Sequence, residues 1–260
     1  MDKQIFPYRI FPLGDSAVTV EYGNCIDETI NKEVIARFNQ LQQDPLPGMI
    51  EIVPAYSSFT VFYDLKNLKN KIQSDKTVFD WMHQQLEERL QQMVQQNQTE
   101  LRQINIPVCY EKEFAMDIEK LAATNKISVD EVIQIHTSRA YKVYMLGFLP
   151  GFAYMGEVDK KISLPRKPQP VNIKAGSVGI AGKQTGIYPM SSPGGWNIIG
   201  RTPVKLFKAT PNLPPFVGEA LNSENFNISL NETTLLKAGD IVQFYAINKN
   251  EFEKILTQNH

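Results

Sequence analysis

The sequence predicts an α+β chain of two domains: a β-β-α-β-β-α two-layer sandwich over residues 1–100, then a strand-rich barrel or sandwich over residues 101–260. Three observations carry this. The first hundred residues alternate short strands with two amphipathic helices, and from Tyr141 onward strands and turns run without a helix until residues 251–256. Between these regimes, Gln95-Gln96-Asn97-Gln98 is a polar linker, which places the boundary near residues 97–103.

Each element has a local reason. Residues 8–13 and 17–22 read as strands broken by the turn residues Gly14-Asp15-Ser16. Ile26, Ile30, Val34, Phe38 and Leu41 then recur on one face of a helix, which Pro45 and Pro47-Gly48 stop. Residues 49–53 form a short strand, and Phe59, Val61 and Tyr63 alternate as a half-buried strand does. Val78, Met82, Leu86, Leu90, Met93 and Val94 mark the second helix. The second half opens with a strand at 104–109 and helical segments at 115–123 and 129–136, before short strands separated by Gly/Pro turns.

Composition excludes several classes. With 42% hydrophobic and 21% charged residues the chain is globular rather than disordered or fibrous, and its net charge of −1 argues against coating nucleic acid. Cys25 and Cys109 cannot build a disulfide framework, and His83, His136 and His260 form no Cys/His cluster, so no metal ligands are assigned. Cys109 reads as inert packing in an apolar strand. The start, MDKQIFPYRIFPLGD, lacks an apolar leader region, and the longest uncharged run, residues 184–200, is dense in Gly, Pro, Ser and Asn. The expectation is a soluble cytoplasmic protein, for which the sequons at Asn97, Asn227 and Asn231 carry little meaning.

The balanced total conceals a segregation of charge. Residues 160–218 hold nine Lys or Arg and no Asp or Glu, where the average acidic frequency predicts roughly six carboxylates. Ten of the 15 glycines fall in residues 147–200, and ten of the 16 prolines in 150–215. A solvated surface usually mixes both signs, so an all-basic, glycine-rich stretch suits an anionic ligand or acidic partner better than bare solvent. The same stretch offers no Mg²⁺ carboxylate ligand and no carboxylate base. Glu157, Asp159, Glu219 or another subunit would have to complete a site there.

Two motifs lie in or beside this region. GFLPGFAYMG at 147–156 fits either a tight barrel corner with core aromatics or a ligand-facing loop. AGSVGIAGKQTGIYPMSSPGGWNIIGRTP at 175–203 has seven glycines, whose N–H groups could form an anion-binding nest, with Lys183 and Arg201 as cations. Neither a Walker loop nor GxGxxG nor a GxSxG elbow occurs there, and Ser177 has no evident His partner. His136 follows Val129, Val132 and Ile133 on an apolar helix face and reads as a satisfied core or helix-end histidine rather than a catalytic one.

GFLPGFAYMG, LPR at 164–166, AGSVGIAGKQTGIYP, SPGGW and IGRTP, together with LGDSAVTVEYG and EIVPAY near the start, resemble the family of 5-oxoprolinase B subunits, also called the KipI or allophanate hydrolase subunit 1 family. The resemblance runs over essentially the whole chain. It implies a cyclophilin-like β-barrel for the second domain. It also implies a cytoplasmic component of a hetero-oligomer. With two partners, an A subunit plus a C subunit related to carboxyltransferases, it would cleave 5-oxoproline to glutamate using ATP, with Mg²⁺. Such a component would be inactive alone.

On that resemblance Lys183, Arg201 and Tyr188 are the expected catalytic residues. Phe148, Pro150, Gly151, Phe152, Tyr154, Arg166, Gly176, Ser177, Gln184, Thr185, Gly186, Pro193, Gly194, Gly195, Trp196 and Thr202 are expected to line the substrate or nucleotide site. The chain departs from the family pattern at 167–174, KPQPVNIK, where Gln169 stands near an expected Arg and Lys174 at an expected Pro. The alternative readings are a KipI-type inhibitor that binds a sensor histidine kinase, and a carboxyltransferase-like subunit of urea or allophanate metabolism. The chain carries no biotin-attachment Met-Lys-Met.

Overall fold

The structure, a computed structural model, describes residues 6–72, 76–92, 102–208 and 233–258 and divides into two compact units, 1–100 and 101–260. In the first unit, β1 (Arg9–Pro12), β2 (Ala17–Glu21), β3 (Met49–Pro54) and β4 (Ser58–Tyr63) form an antiparallel sheet in the order β1-β2-β4-β3. Helix α1 (Glu28–Gln43) lies between β2 and β3, and the short α2 (Leu65–Lys69) connects β4 to helix α3 (Val78–Gln91). The alternation expected from the sequence sets the layers: Val18, Val20, Phe59 and Val61 point to one core, where they meet Val34 and Leu41 of α1 and Met82 and Leu86 of α3.

The helix starts are chemically specified. Asp27 accepts from the Thr29 and Ile30 N–H groups, and Thr77 with Asp80 forms a reciprocal capping box. Helix α2 is absent from the expected element order because five residues give no periodicity to read; its start is marked only by Asp64, which accepts from the Asn67 N–H. Part of the expected second helix face, Met93 and Val94, and the linker at 95–98 lie outside the described residues, as do the three sequons.

Arg37 is the one charged side chain sunk into this unit among its described residues. It pairs with Glu33 at 2.7 Å and donates to the carbonyls of Arg89, Leu90 and Gln92 at the end of α3. These are carbonyls that the helix itself leaves without N–H partners. Arg37→Met should therefore lower stability by about 3 kcal/mol, read as a shifted urea midpoint with unchanged slope. A midpoint that stays put would mean that water serves those carbonyls equally well.

The second unit is a closed barrel in the order β10-β7-β6-β13-β5-β12-β9, which settles the barrel-or-sandwich alternative. Its strands are β5 (Gln103–Cys109), β6 (Ala140–Leu146), β7 (Ala153–Gly156), β9 (Ser177–Ala181), β10 (Gln184–Ile187), β12 (Asn197–Arg201) and β13 (Ile241–Ile247). Neighbours pair antiparallel except β5 and β13, which run parallel from Gln103↔Ile241 to Cys109↔Ile247 and join the beginning of the unit to its end. Ile106, Val108, Val143, Met155, Val178 and Ile180 fill the interior. A separate ribbon, β8 (Val171–Ile173) with β11 (Ser192–Gly194), lies off the barrel and contains much of the segment where the family pattern breaks.

Among the described residues the α-helices of this unit are α4 (Ile118–Asn125), α5 (Val129–Thr137) and α6 (Lys249–Gln258). Helix α4 begins three residues later than periodicity suggests. Asp117 gives its carboxylate to the Ile198 N–H and Lys167 instead of capping the helix. No helix among the described residues is long and apolar enough to cross a membrane.

Candidate functional site on the outer face of the barrel

Residues on or next to β7, β10 and β12, with Ile173 of the β8 ribbon, build a second, smaller core. Phe152, Ile173, Tyr188, Trp196 and Ile198 are buried together, with Leu149 and Tyr154 against them. The rings meet edge to face: Phe152 lies 4.8 Å from Tyr154, 5.1 Å from Tyr188 and 5.3 Å from Trp196. Phe148 stands at the rim, 58% exposed, 5.7 Å from Phe152 and 6.4 Å from Tyr188. Its φ of 66° is a costly conformation for a bulky residue, held by the turn in which Gly147 donates to Phe152 O and Phe152 to Leu149 O. Pro150 and Gly151 belong to that turn. In the segment 147–156, Phe152 is core as the barrel-corner reading expects, and Phe148 is exposed.

The glycines of this face make room for rings more than they cradle anions. A Cβ on Gly186 would lie 3.0 Å from both Phe152 and Trp196, and one on Gly179 would lie 3.1 Å from the Trp196 Cβ. A Cβ on Gly194 would strike the Tyr188 hydroxyl, and one on Gly195 would lie 2.7 Å from Arg166 Nε. The Gly194-Gly195 pair thus brings a phenol and a guanidinium against one stretch of backbone. Pro193 sits beside them on the exposed edge of the ribbon.

Residues 164–167 cross this face as a pinned strap. Gly182 N donates to Leu164 O at 2.8 Å, Asn197 Nδ2 to Pro165 O at 3.0 Å, and Lys167 N to Gly195 O at 2.7 Å. Lys167 Nζ also pairs with Asp117 at 2.8 Å, both side chains largely buried. Every strap residue is tied except the exposed Arg166 side chain, which has no carboxylate partner among the described residues. Burial raises the Tyr154 and Tyr188 phenols above their ordinary value, while the nearby Arg166 charge, and for Tyr188 first a hydrogen bond from the Trp196 backbone, pulls them back.

The structure does not bring the two expected catalytic cations together. Lys183 sits in the β9–β10 turn and Arg201 pairs with Ser177 at the far end of β9, about 13 Å of strand away. Lys183 reaches Glu157 at 3.4 Å in an exposed pair, with Gln184 next to it on β10. Arg201 donates to Ala175 O at 2.8 Å and lies over the Phe252 ring of α6; burial lowers its pKa. Gly176 and Thr202 tie backbone to backbone beside it, with Thr202 N donating to Gly176 O, and Ser177 and Thr202 are buried. Tyr188 is at this end by its backbone, which bonds Gly176 and Ser177, although its ring joins the aromatic core.

Thr185, expected at the site, points into the barrel. Its hydroxyl meets His136 Nε2 at 3.0 Å, and His136 Nδ1 meets the Tyr110 hydroxyl at 2.7 Å, with Phe244 stacked 4.6 Å away. His136 is the satisfied core histidine that its helix face predicts. The residues that sequence reasoning missed are Asp117, Asn197 and the Lys167 pairing. Asn197 directly follows the SPGGW string, so proximity marked it; Asp117 is 50 residues from Lys167 and had no marker.

Full burial lowers the His136 pKa from 6.5 to about 3. The unfolded chain then binds a proton that the fold refuses, so stability is fully present above pH 6.5 and falls as pH drops toward 3. Between pH 6.5 and 5 the loss should approach about 1.4 kcal/mol per pH unit, and His136→Gln should flatten that slope in urea titrations. Equal slopes in both proteins would place a charged His136 in the fold.

This chain matches the family described as the carboxyltransferase domain, subdomain C and D. The model of that family matches residues 8–217, and the chain belongs to it. Among its relatives is the B subunit of 5-oxoprolinase from Bacillus subtilis (strain 168), 43% identical over 94% of this chain and 95% of that protein. The corresponding 5-oxoprolinase B subunit from Haemophilus influenzae is 33% identical over 91% of this chain and 96% of its own. The crystal structure of TTHA0988 superposes with a TM-score of 0.67 at 29% identity, covering 89% of this chain and 40% of that one. The Kluyveromyces lactis urea amidolyase shares the fold at 19% identity, with a TM-score of 0.69 over 97% of this chain and 15% of its own.

Proposed function

We propose that this chain is the B subunit of a 5-oxoprolinase, which with its A and C partners opens 5-oxoproline to glutamate at the expense of ATP. The observation that carries this is the 43% identity to the Bacillus subtilis protein along nearly the full length of both chains. The chemistry suits the residues. A lactam amide resists hydrolysis, and phosphorylation of its oxygen creates a leaving group that water can displace. Negative charge then gathers on the phosphoryl and lactam oxygens, where fixed donors stabilise it more in the transition state than in the ground state.

The acid-free stretch fits such a surface. Three carboxylates from outside it enter the described part: Asp117 neutralises Lys167, Glu157 offsets Lys183, and Asp159 accepts from the Lys161 N–H. Arg166 and Arg201 keep guanidinium groups without carboxylate partners among the described residues. The described residues bring no three Asp, Glu, His or Cys side chains together, so no Mg²⁺ step is assigned to them. Glu219 and residues 209–218 lie outside the described residues.

Mixed with its A and C partners, the chain should support ATP hydrolysis that depends on 5-oxoproline and releases glutamate in step with phosphate, and the mixture without it should not. Turnover that ignores 5-oxoproline would sink this reading.

A further inference from the structure

We propose that Arg166, laid against Gly195 beside the Tyr154 and Tyr188 phenols, is the subsite for the carboxylate of a small ring monoacid. This rests on the reading of the chain as part of a 5-oxoprolinase and names which part of the substrate this face holds.

Three observations carry it. First, the arginine is seated against glycine without being neutralised. Its Nε lies where a Gly195 Cβ would come within 2.7 Å, so the side chain lies flat on glycine backbone. The strap around it spends its hydrogen bonds on Leu164, Pro165 and Lys167 and leaves Arg166 with no carboxylate. A guanidinium free of carboxylates offers a planar fork matched to a carboxylate ligand. Second, the charge count fits a monoanion. The neighbouring Lys167 is cancelled by Asp117 at 2.8 Å, so one net positive charge remains, which suits a single carboxylate and falls short of a polyphosphate. Third, aromatic rings lie beside it: the Tyr154 and Tyr188 phenols feel its charge, and the exposed Phe148 ring stands 6.4 Å from Tyr188 at the rim. Such rings suit a small ring ligand. Two separated motifs, LPR and SPGGW, meet in this one contact.

The test uses the assembled three-component enzyme with separate titrations of 5-oxoproline and ATP. Arg166→Gln should raise KM for 5-oxoproline about tenfold to a hundredfold while KM for ATP stays unchanged. Arg166→Lys should recover part of that loss, since it restores charge without the fork. Gly195→Ala should act like Arg166→Gln by displacing an intact guanidinium. An unchanged KM for 5-oxoproline in Arg166→Gln, or a rise confined to ATP, would overturn the assignment. If the wild-type assembly shows no 5-oxoproline-dependent turnover, the functional reading fails by itself. The subsite is then judged on the isolated chain with Trp81→Phe, where 5-oxoproline should quench Trp196 saturably and lose that effect in Arg166→Gln. Absence of quenching there overturns it.

Discussion

The constraint on which the outer face depends is the absence of a Cβ at four places. Gly179 and Gly186 let Trp196 and Phe152 settle against barrel strands, and Gly194 and Gly195 admit the Tyr188 hydroxyl and Arg166. A methyl group at any of them would need rings or a ribbon to move by tenths of an ångström or more, in packing that resists such shifts. A barrel normally presents polar side chains outward. Here the glycines turn one sector of that exterior into a second apolar core, topped by the β8–β11 ribbon, with cations at its margin.

Electrostatics sorts those cations. Asp117 does three things from one position: its carboxylate accepts from Lys167 and from the Ile198 N–H, and its own N–H donates to Ile198 O. A largely buried pair with a third hydrogen bond anchors the strap, whereas the exposed Lys183–Glu157 pair contributes little. Within the described part of the acid-free stretch, Lys167 and Lys183 therefore have carboxylate partners, and neither Arg166 nor Arg201 has one. Arg201 keeps its charge despite burial, over Phe252 and against the Ala175 carbonyl, and stays a separate cation at the other end of β9 from Lys183.

Much of the fold was legible because it is local. Alternation at Phe59, Val61 and Tyr63 and the helical spacing from Ile30 to Leu41 state which face is buried, and the core follows them. Barrel closure was not legible, since it rests on parallel pairing of Gln103 with Ile241 across most of the unit. At the site, residue types could be read and their grouping could not. The glycines, Tyr188, Trp196 and Arg166 stand out in the sequence, but alternation along β10 sends Thr185 inward and Gly186 outward, which a motif string does not display. Lys183 and Arg201 look adjacent in a Gly-rich run, yet strand length separates them. Asp117 needed the third dimension.

The central claim is that the ring acid meets the Gly-seated aromatic face. The chain has two tryptophans, Trp81 in the first unit and Trp196 within that face, so one labelled residue type reports on both. With 5-fluorotryptophan in this chain and unlabelled partners, ¹⁹F NMR during a 5-oxoproline titration should move the Trp196 resonance saturably and leave Trp81 in place. A Trp196 resonance that stays fixed at concentrations supporting turnover would contradict the account.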